Sequence, residues 1–186
     1  AHDNAGESYV VFGQRAAFAA AFNLSTLNGT NGFVINGIDA SDRSGVSVSG
    51  AGDINGDGFD DLIVGAWGGD PGGDLGAGES YVVFGKAGGF AAALNLSSLD
   101  GTNGFRLDGI DSYDFSGQSV SGAGDVNGDG FDDLIIGAYA ADREVGMMTE
   151  YSVGESYVVF GKASGFTATF DLASLNGTNG FRLDGI

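Results

Sequence analysis

Apolar positions in this chain fall in short runs separated by turn-forming residues. Ser44-Gly-Val-Ser-Val-Ser-Gly50 alternates valine with serine, and Ser116 to Gly122 repeats the pattern. Alternation with period two, among small residues, predicts a strand in a crowded place. Leu62 to Ala66 and Leu134 to Ala138 are β-branched apolar runs that predict a second strand. Ser80 to Phe84 and Ser156 to Phe160 predict a third, and Phe105 to Asp108 and Phe181 to Asp184 a fourth. The Ala-rich stretch Phe90 to Leu99 could suggest a helix. Its brevity, and the threonines Thr167 and Thr169 in a later copy, predict instead an extended piece plus one helical turn.

The strands recur with a long period. Gly-Glu-Ser-Tyr-Val-Val-Phe-Gly stands at 6–13, 78–85 and 154–161, with spacings of 72 and 76 residues. Leu-(Asn/Asp)-Gly-Thr-Asn-Gly-Phe follows at 27–33, 99–105 and 175–181 with the same two spacings, so the four extra residues of the second interval lie within 139–153. Four short strands in a repeat of this size predict an all-β chain built of β-propeller blades.

Between the first and second predicted strands sits Gly52-Asp-Ile-Asn-Gly-Asp-Gly-Phe-Asp-Asp-Leu62, repeated almost letter for letter at Gly124 to Leu134. Counted from Asp53, side-chain oxygens fall at positions 1, 3, 5 and 9: Asp53, Asn55, Asp57 and Asp61. The carbonyl of Phe59 at position 7 can add another. Calcium takes six to eight oxygens in a flexible geometry, and alternate residues of a tight loop can converge on it. The second copy offers Asp125, Asn127, Asp129, the carbonyl of Phe131, and Asp133. Position 12, where an EF-hand carries glutamate, is Val64 or Ile136, and strands rather than helices flank the loop, so two structural calcium sites in β-hairpins are expected. The bland alternative is turn chemistry, since Asn, Asp and Gly dominate hairpin turns. An ordinary turn does not need so many acidic and amide side chains, twice. Thiolate and imidazole are absent from the loop, which disfavours zinc.

Composition narrows the field. Glycine accounts for 36 of 186 residues and proline for one, which fits many tight turns; cysteine is absent, so neither disulfides nor thiol chemistry are available. The net charge is −18, from 25 acidic and 7 basic residues. Nucleic acid and anionic membrane surfaces need a basic footprint and are disfavoured as partners. No apolar window is long enough for a membrane-spanning helix, and Ala1 to Gly6 carry no signal-peptide pattern. A weak calcium site suits an extracellular location, where the ion is abundant. The only histidine is His2 in a terminal segment, so a Ser/His/Asp or Cys/His arrangement has no base, and no catalytic residue is expected.

With these motifs in hand, the chain resembles the FG-GAP repeats of the integrin α-subunit β-propeller, which also occur in secreted bacterial proteins. The resemblance rests on Phe115-Ser-Gly-Gln-Ser-Val-Ser-Gly, the Asp125 to Leu134 loop, Gly137-Ala138 and Gly-Glu-Ser-Tyr-Val-Val-Phe. It departs where Arg43 replaces the Phe115 position and where Trp67 and Tyr139, rather than proline, follow Gly-Ala. The resemblance implies cation ligands at the ten loop positions named above, and a metal hairpin joining the innermost strand of each blade to the second. On that alignment 39–110 and 111–186 are two complete blades and 1–38 the outer half of another, about two and a half in all. The remaining blades, or further copies of the chain, are then expected as partners.

The function expected is a calcium-binding extracellular module for adhesion or for protein or glycan binding. Its contacts are expected on the loops opposite the hairpins, 39–44, 67–77, 111–116 and 139–153, with Asp39, Asp42, Asp111 and Asp114, and in a patch of Arg143, Met147, Met148 and Tyr151. A purely structural segment without its own ligand is the alternative, and an accessory domain of a secreted enzyme a more remote one.

Overall fold

The computed structural model describes residues 3–145 and 148–186; at 143–145 and 148–149 only backbone is described. Its strands are β1 (Glu7–Val11), β2 (Gly32–Asn36), β3 (Ser47–Gly52), β4 (Asp61–Ala66), β5 (Glu79–Val83), β6 (Ala93–Asn95) and β7 (Gly104–Asp108), followed by β8 (Ser116–Gly124), β9 (Asp133–Ala138), β10 (Arg143–Val145), β11 (Met148–Glu150), β12 (Glu155–Val159), β13 (Thr169–Asp171) and β14 (Gly180–Asp184). Among the described residues the only helices are short 3-10 turns. The chain is all-β, and its sheets are the blades of a partial β-propeller.

The blade ladders follow the predicted order. In one, β3, β4, β5 and β7 pair in sequence, each antiparallel to its neighbour. In the next, β8, β9, β12 and β14 do the same. β1 and β2 form a shorter antiparallel pair. The four extra residues of the second period belong to a connection that folds as the small hairpin β10–β11, closed by the Asp142 carboxylate accepting the Ser152 N–H at 2.8 Å.

A fifth strand in the first full blade was not foreseen. β13, from the second full blade, lies parallel on the outer edge of β7, and β6 lies parallel on β2 in the same way. These are the Ala-rich stretches, and each is indeed an extended piece followed by one 3-10 turn, Leu96–Ser98 or Leu172–Ser174. The short strand pairs sideways with the neighbouring blade and so covers an edge that would otherwise expose unpaired amides and carbonyls.

Two apolar cores lie between the sheets. Phe33 and Ile35 on β2 meet Val64, Ala66, Tyr81 and Val83, with Leu96 closing the cluster. Ile63, Val82, Phe105 and Leu107 on the other face of that blade meet Leu134, Ile136, Tyr157 and Val159, with Leu172 in the equivalent place. A five-residue strand buried on both faces needs apolar residues at successive positions, which is why Tyr-Val-Val reads as a run rather than an alternation. Each fully buried Leu contributes about 1.5–3 kcal/mol. Where the cores reach the rim, the Tyr81 hydroxyl donates to the buried Glu79 carboxylate, which also meets Arg106 at 3.2 Å. The pair recurs as Tyr157 with Glu155 at 2.6 Å and Arg182 with Glu155 at 3.3 Å.

Candidate metal hairpins and the opposite rim

Residues 53–60 join β3 to β4, and 125–132 join β8 to β9, so both acidic loops are tight hairpins at the same rim. Within the first, the Asp53 carboxylate accepts the N–H groups of Gly56 at 2.8 Å, Asp57 at 3.0 Å and Gly58 at 2.9 Å. Asn55 Oδ1 accepts the Asp57 N–H at 2.9 Å, and Asp57 Oδ1 accepts the Phe59 N–H at 2.9 Å. Gly58 has φ +87°, the left-handed turn that glycine reaches without steric cost. The second loop repeats this pattern with Asp125, Asn127 and Asp129.

Asp61 and Asp133 sit apart from these, at the first residue of β4 and β9, and are fully buried. Asp61 accepts the Ile54 N–H at 3.1 Å and the Gly85 N–H at 2.8 Å, so it ties the start of the loop to the end of β5. Asp133 does the same for Val126 and Gly161, both at 2.9 Å. Burial pushes the Asp61 carboxyl up to about 7, with the negative charges of Asp57 and Asp53 adding to the shift and the two N–H donors opposing it. Asp132 has a role that sequence reasoning missed. Its carboxylate accepts the Asp53 N–H at 2.9 Å, so the second loop braces the first.

The donor chemistry suits a hard divalent cation: every side-chain donor on the loop is an oxygen, three of the four are carboxylates, and the buried Asp61 stands beside like charges. Among the described residues, no three His, Cys, Asp or Glu side chains are drawn together in metal-binding geometry. The carboxylates are instead turned onto the loops' own amides.

At the opposite rim the structure corrects two expectations. Asp42 and Asp114 are buried rather than displayed, and Asp42 accepts the Asp39 N–H at 3.0 Å. Burial pushes the Asp114 carboxyl up to about 6, helped by the charges of Asp111, Glu155 and Asp142 and opposed by Arg182. A carboxyl raised in the folded state binds more protons there than when unfolded. Its penalty is absent below pH 4, grows between about 4 and 6, and is complete above that. Asp114→Asn is therefore expected to gain on the native chain as pH rises through this window, by at most about 1.4 kcal/mol per pH unit. Urea denaturation of both proteins in excess chelator at pH 4.5 and pH 7 measures the difference.

What the rim displays is aromatic. Trp67 and Phe115 meet edge to face at 5.1 Å, Phe115 stacks on Tyr139 at 5.7 Å, and Tyr113 lies 6.3 Å from Phe115. The Arg43 guanidinium covers Trp67 at 4.3 Å, and Tyr113 and Tyr139 are exposed. The positions noted as departures from the family pattern, Arg43, Trp67 and Tyr139, thus gather in one cluster spanning two blades. Of the other expected patch, Tyr151 is exposed, while the side chains of Arg143, Met147 and Met148 lie outside the described residues, as does His2.

Comparison with known proteins agrees with this architecture. The FG-GAP repeat model matches residues 44–83 and 116–159, each running from the innermost strand of a blade through its hairpin to the third strand. Integrin alpha-5 of Xenopus laevis is 31% identical over 117 residues, covering 62% of this chain and 10% of its own length. Integrin alpha-2 of Mus musculus is 34% identical over 52% of the chain, and integrin alpha pat-2 of Caenorhabditis elegans 33% identical over 61%. The chain spans about a tenth of the length of these relatives. With blades of the expected strand order, a hairpin at the same place in each, and a repeat match over each, the chain carries two FG-GAP repeats and is similar to the integrin α subunits.

Proposed function

We propose that the chain is a calcium-stabilised, extracellular, non-enzymatic β-propeller module whose aromatic rim binds a protein or glycan ligand in adhesion. The observation that carries the calcium reading is the oxygen-only loop, repeated at the same hairpin of both full blades. Asp53, Asn55, Asp57, the carbonyl of Phe59 and Asp61 would hold one ion, and Asp125, Asn127, Asp129, the carbonyl of Phe131 and Asp133 the other. When bound, calcium supplies positive charge where the chain places carboxylates close together. The protein's own contribution is a loop already shaped by its amides, with Gly58 and Gly130 in left-handed turns.

The binding reading is supported by the cluster of Trp67, Phe115 and Tyr139 at the rim away from the hairpins. Aromatic side chains with arginine are enriched where surfaces recognise partners. The integrin alpha names of the relatives point to the cell surface and adhesion, and among the described residues no helix is long and apolar enough to cross a membrane.

Calcium is expected to raise the melting temperature of the native chain, and Asp57→Ala combined with Asp129→Ala to abolish that rise while leaving the chelated protein folded. Ligand capture on glycan and matrix-protein arrays is expected to fall at least about tenfold in Trp67→Ala with Tyr139→Ala at unchanged melting temperature. Calcium stabilisation without capture of any arrayed molecule would favour a purely structural repeat.

A further inference from the structure

The two acidic hairpins are joined, because the second reaches from its own sheet to the next and holds the backbone of the first. Asp132 and Asp53 form a reciprocal clamp: the Asp132 carboxylate accepts the Asp53 N–H at 2.9 Å, and the Asp53 carbonyl accepts the Asp132 N–H at 3.3 Å. Both residues are half-buried. The Asp132 carboxylate lies against Gly52 and the Phe131 ring against Gly56; a Cβ at either glycine would overlap the group seated there. A second link runs through the residues just after β12. The Gly161 N–H donates to the Asp133 carboxylate at 2.9 Å, and the next amide, that of Lys162, donates to the Ile54 carbonyl at 2.8 Å.

These contacts fall on the residues assigned above to the ions. Asp53 opens the donor set of the first loop, and Phe131 and Asp133, which flank Asp132, close that of the second. An ion that fixes the Phe131 carbonyl and the Asp133 carboxylate also fixes the residue between them. The Asp132 side chain is then held against the Asp53 N–H, at the entrance to the other loop. A segment ordered by one ligand costs less to order when the next one binds. Repulsion between two cations at one rim acts the other way, and the negative charge of Asp132 at the junction of the loops offsets it.

We propose that calcium fills the two hairpins with positive cooperativity, and that Asp132, which belongs to neither donor set, is the positioning residue that couples them. The inference rests on the calcium reading and adds its regulation. By linkage, each ion raises the affinity for the other by the same factor. The chain therefore gains or loses both ions over a narrow range of calcium, and its two full blades are clasped together rather than one at a time.

Calcium titration of the chelator-stripped chain tests this, with Asp57→Ala and Asp129→Ala as the two single-site proteins. The overall association constant for two ions on the native chain is expected to exceed the product of the two single-site constants about tenfold. Asp132→Ala, added to all three proteins, is expected to bring that ratio close to one. Asp132→Asn keeps an oxygen for the Asp53 N–H and is expected to retain most of the ratio. Amide exchange follows the coupling directly: in Asp57→Ala, calcium at the second hairpin is expected to slow exchange of the Asp53 amide, and to slow it no longer once Asp132→Ala is added. A native ratio of one or below, or a ratio that survives Asp132→Ala, would overturn the coupling while leaving two calcium sites in place. No calcium uptake by any of these proteins would overturn the calcium reading and this inference with it.

Discussion

Asp133→Ala is expected to lower stability by roughly 2 to 5 kcal/mol, measured by urea denaturation in excess chelator so that no metal contributes. The carboxylate is fully buried and accepts the Val126 and Gly161 N–H groups, both at 2.9 Å. Removing it orphans two donors at the edge of the larger core, and each buried unsatisfied donor costs about 1–3 kcal/mol. Asp133→Asn keeps one carbonyl oxygen and is expected to recover part of the loss. An Asp133→Ala protein as stable as the native chain under chelation would mean that this residue matters only as a ligand. The same substitution at Asp129 is expected to be mild without metal, because that carboxylate is exposed and serves only its own loop.

Gly78→Ala is expected to be as severe, for a steric reason. Gly78 has φ +87°, and a Cβ there would stand 2.0 Å from the Ser116 carbonyl oxygen, 2.6 Å from its nitrogen and 2.8 Å from its carbonyl carbon. All three are backbone atoms of the neighbouring blade, whose Ser116 N–H donates to the Ala77 carbonyl at 3.0 Å. Relief therefore requires separating the blades and giving up part of the core between them. Gly154 occupies the equivalent place one period later, at φ +79°, with no atom nearer than 3.4 Å to its Cβ. Gly154→Ala should show the backbone term alone, about 1–2 kcal/mol. The contrast separates crowding from conformational strain. Equal melting temperatures for the two variants would refute the crowding account.

The strand ladders were legible because the blade strands are either Val/Ser alternations or short apolar runs set among glycine and aspartate, and because the repeat gave each of them at least one second reading. Position in the period also placed both acidic loops in hairpins. The sideways pairing of β6 and β13 was not legible. Ala93-Leu-Asn95 and Thr169-Phe-Asp171 carry no partner signal of their own, and parallel pairing with a neighbouring blade is a tertiary event. Asp61 and Asp133 were read only as candidate metal ligands, two among ten. That the backbone amides of Gly85 and Gly161 also claim them depends on contacts 24 and 28 residues away. The acids of the opposite rim misled for the complementary reason. Asp42 and Asp114 look like exposed loop charges, yet both are buried. Trp67 and Tyr139 carried the clue, as the places where the chain departs from the family pattern, but 72 residues separate them. Only the stacking of blades brings both against Phe115.

The central claim is that each acidic hairpin is a calcium clasp. Isothermal titration of calcium into the chelator-stripped chain at pH 7.5 tests it most directly. Two ions per chain are expected for the native protein, and one for Asp57→Ala or Asp129→Ala alone. Magnesium is expected to compete poorly, because it demands a stricter octahedral shell than a flexible oxygen loop supplies. No calcium uptake, or an unchanged stoichiometry in both variants, would contradict it and leave the loops as amide-bound turns.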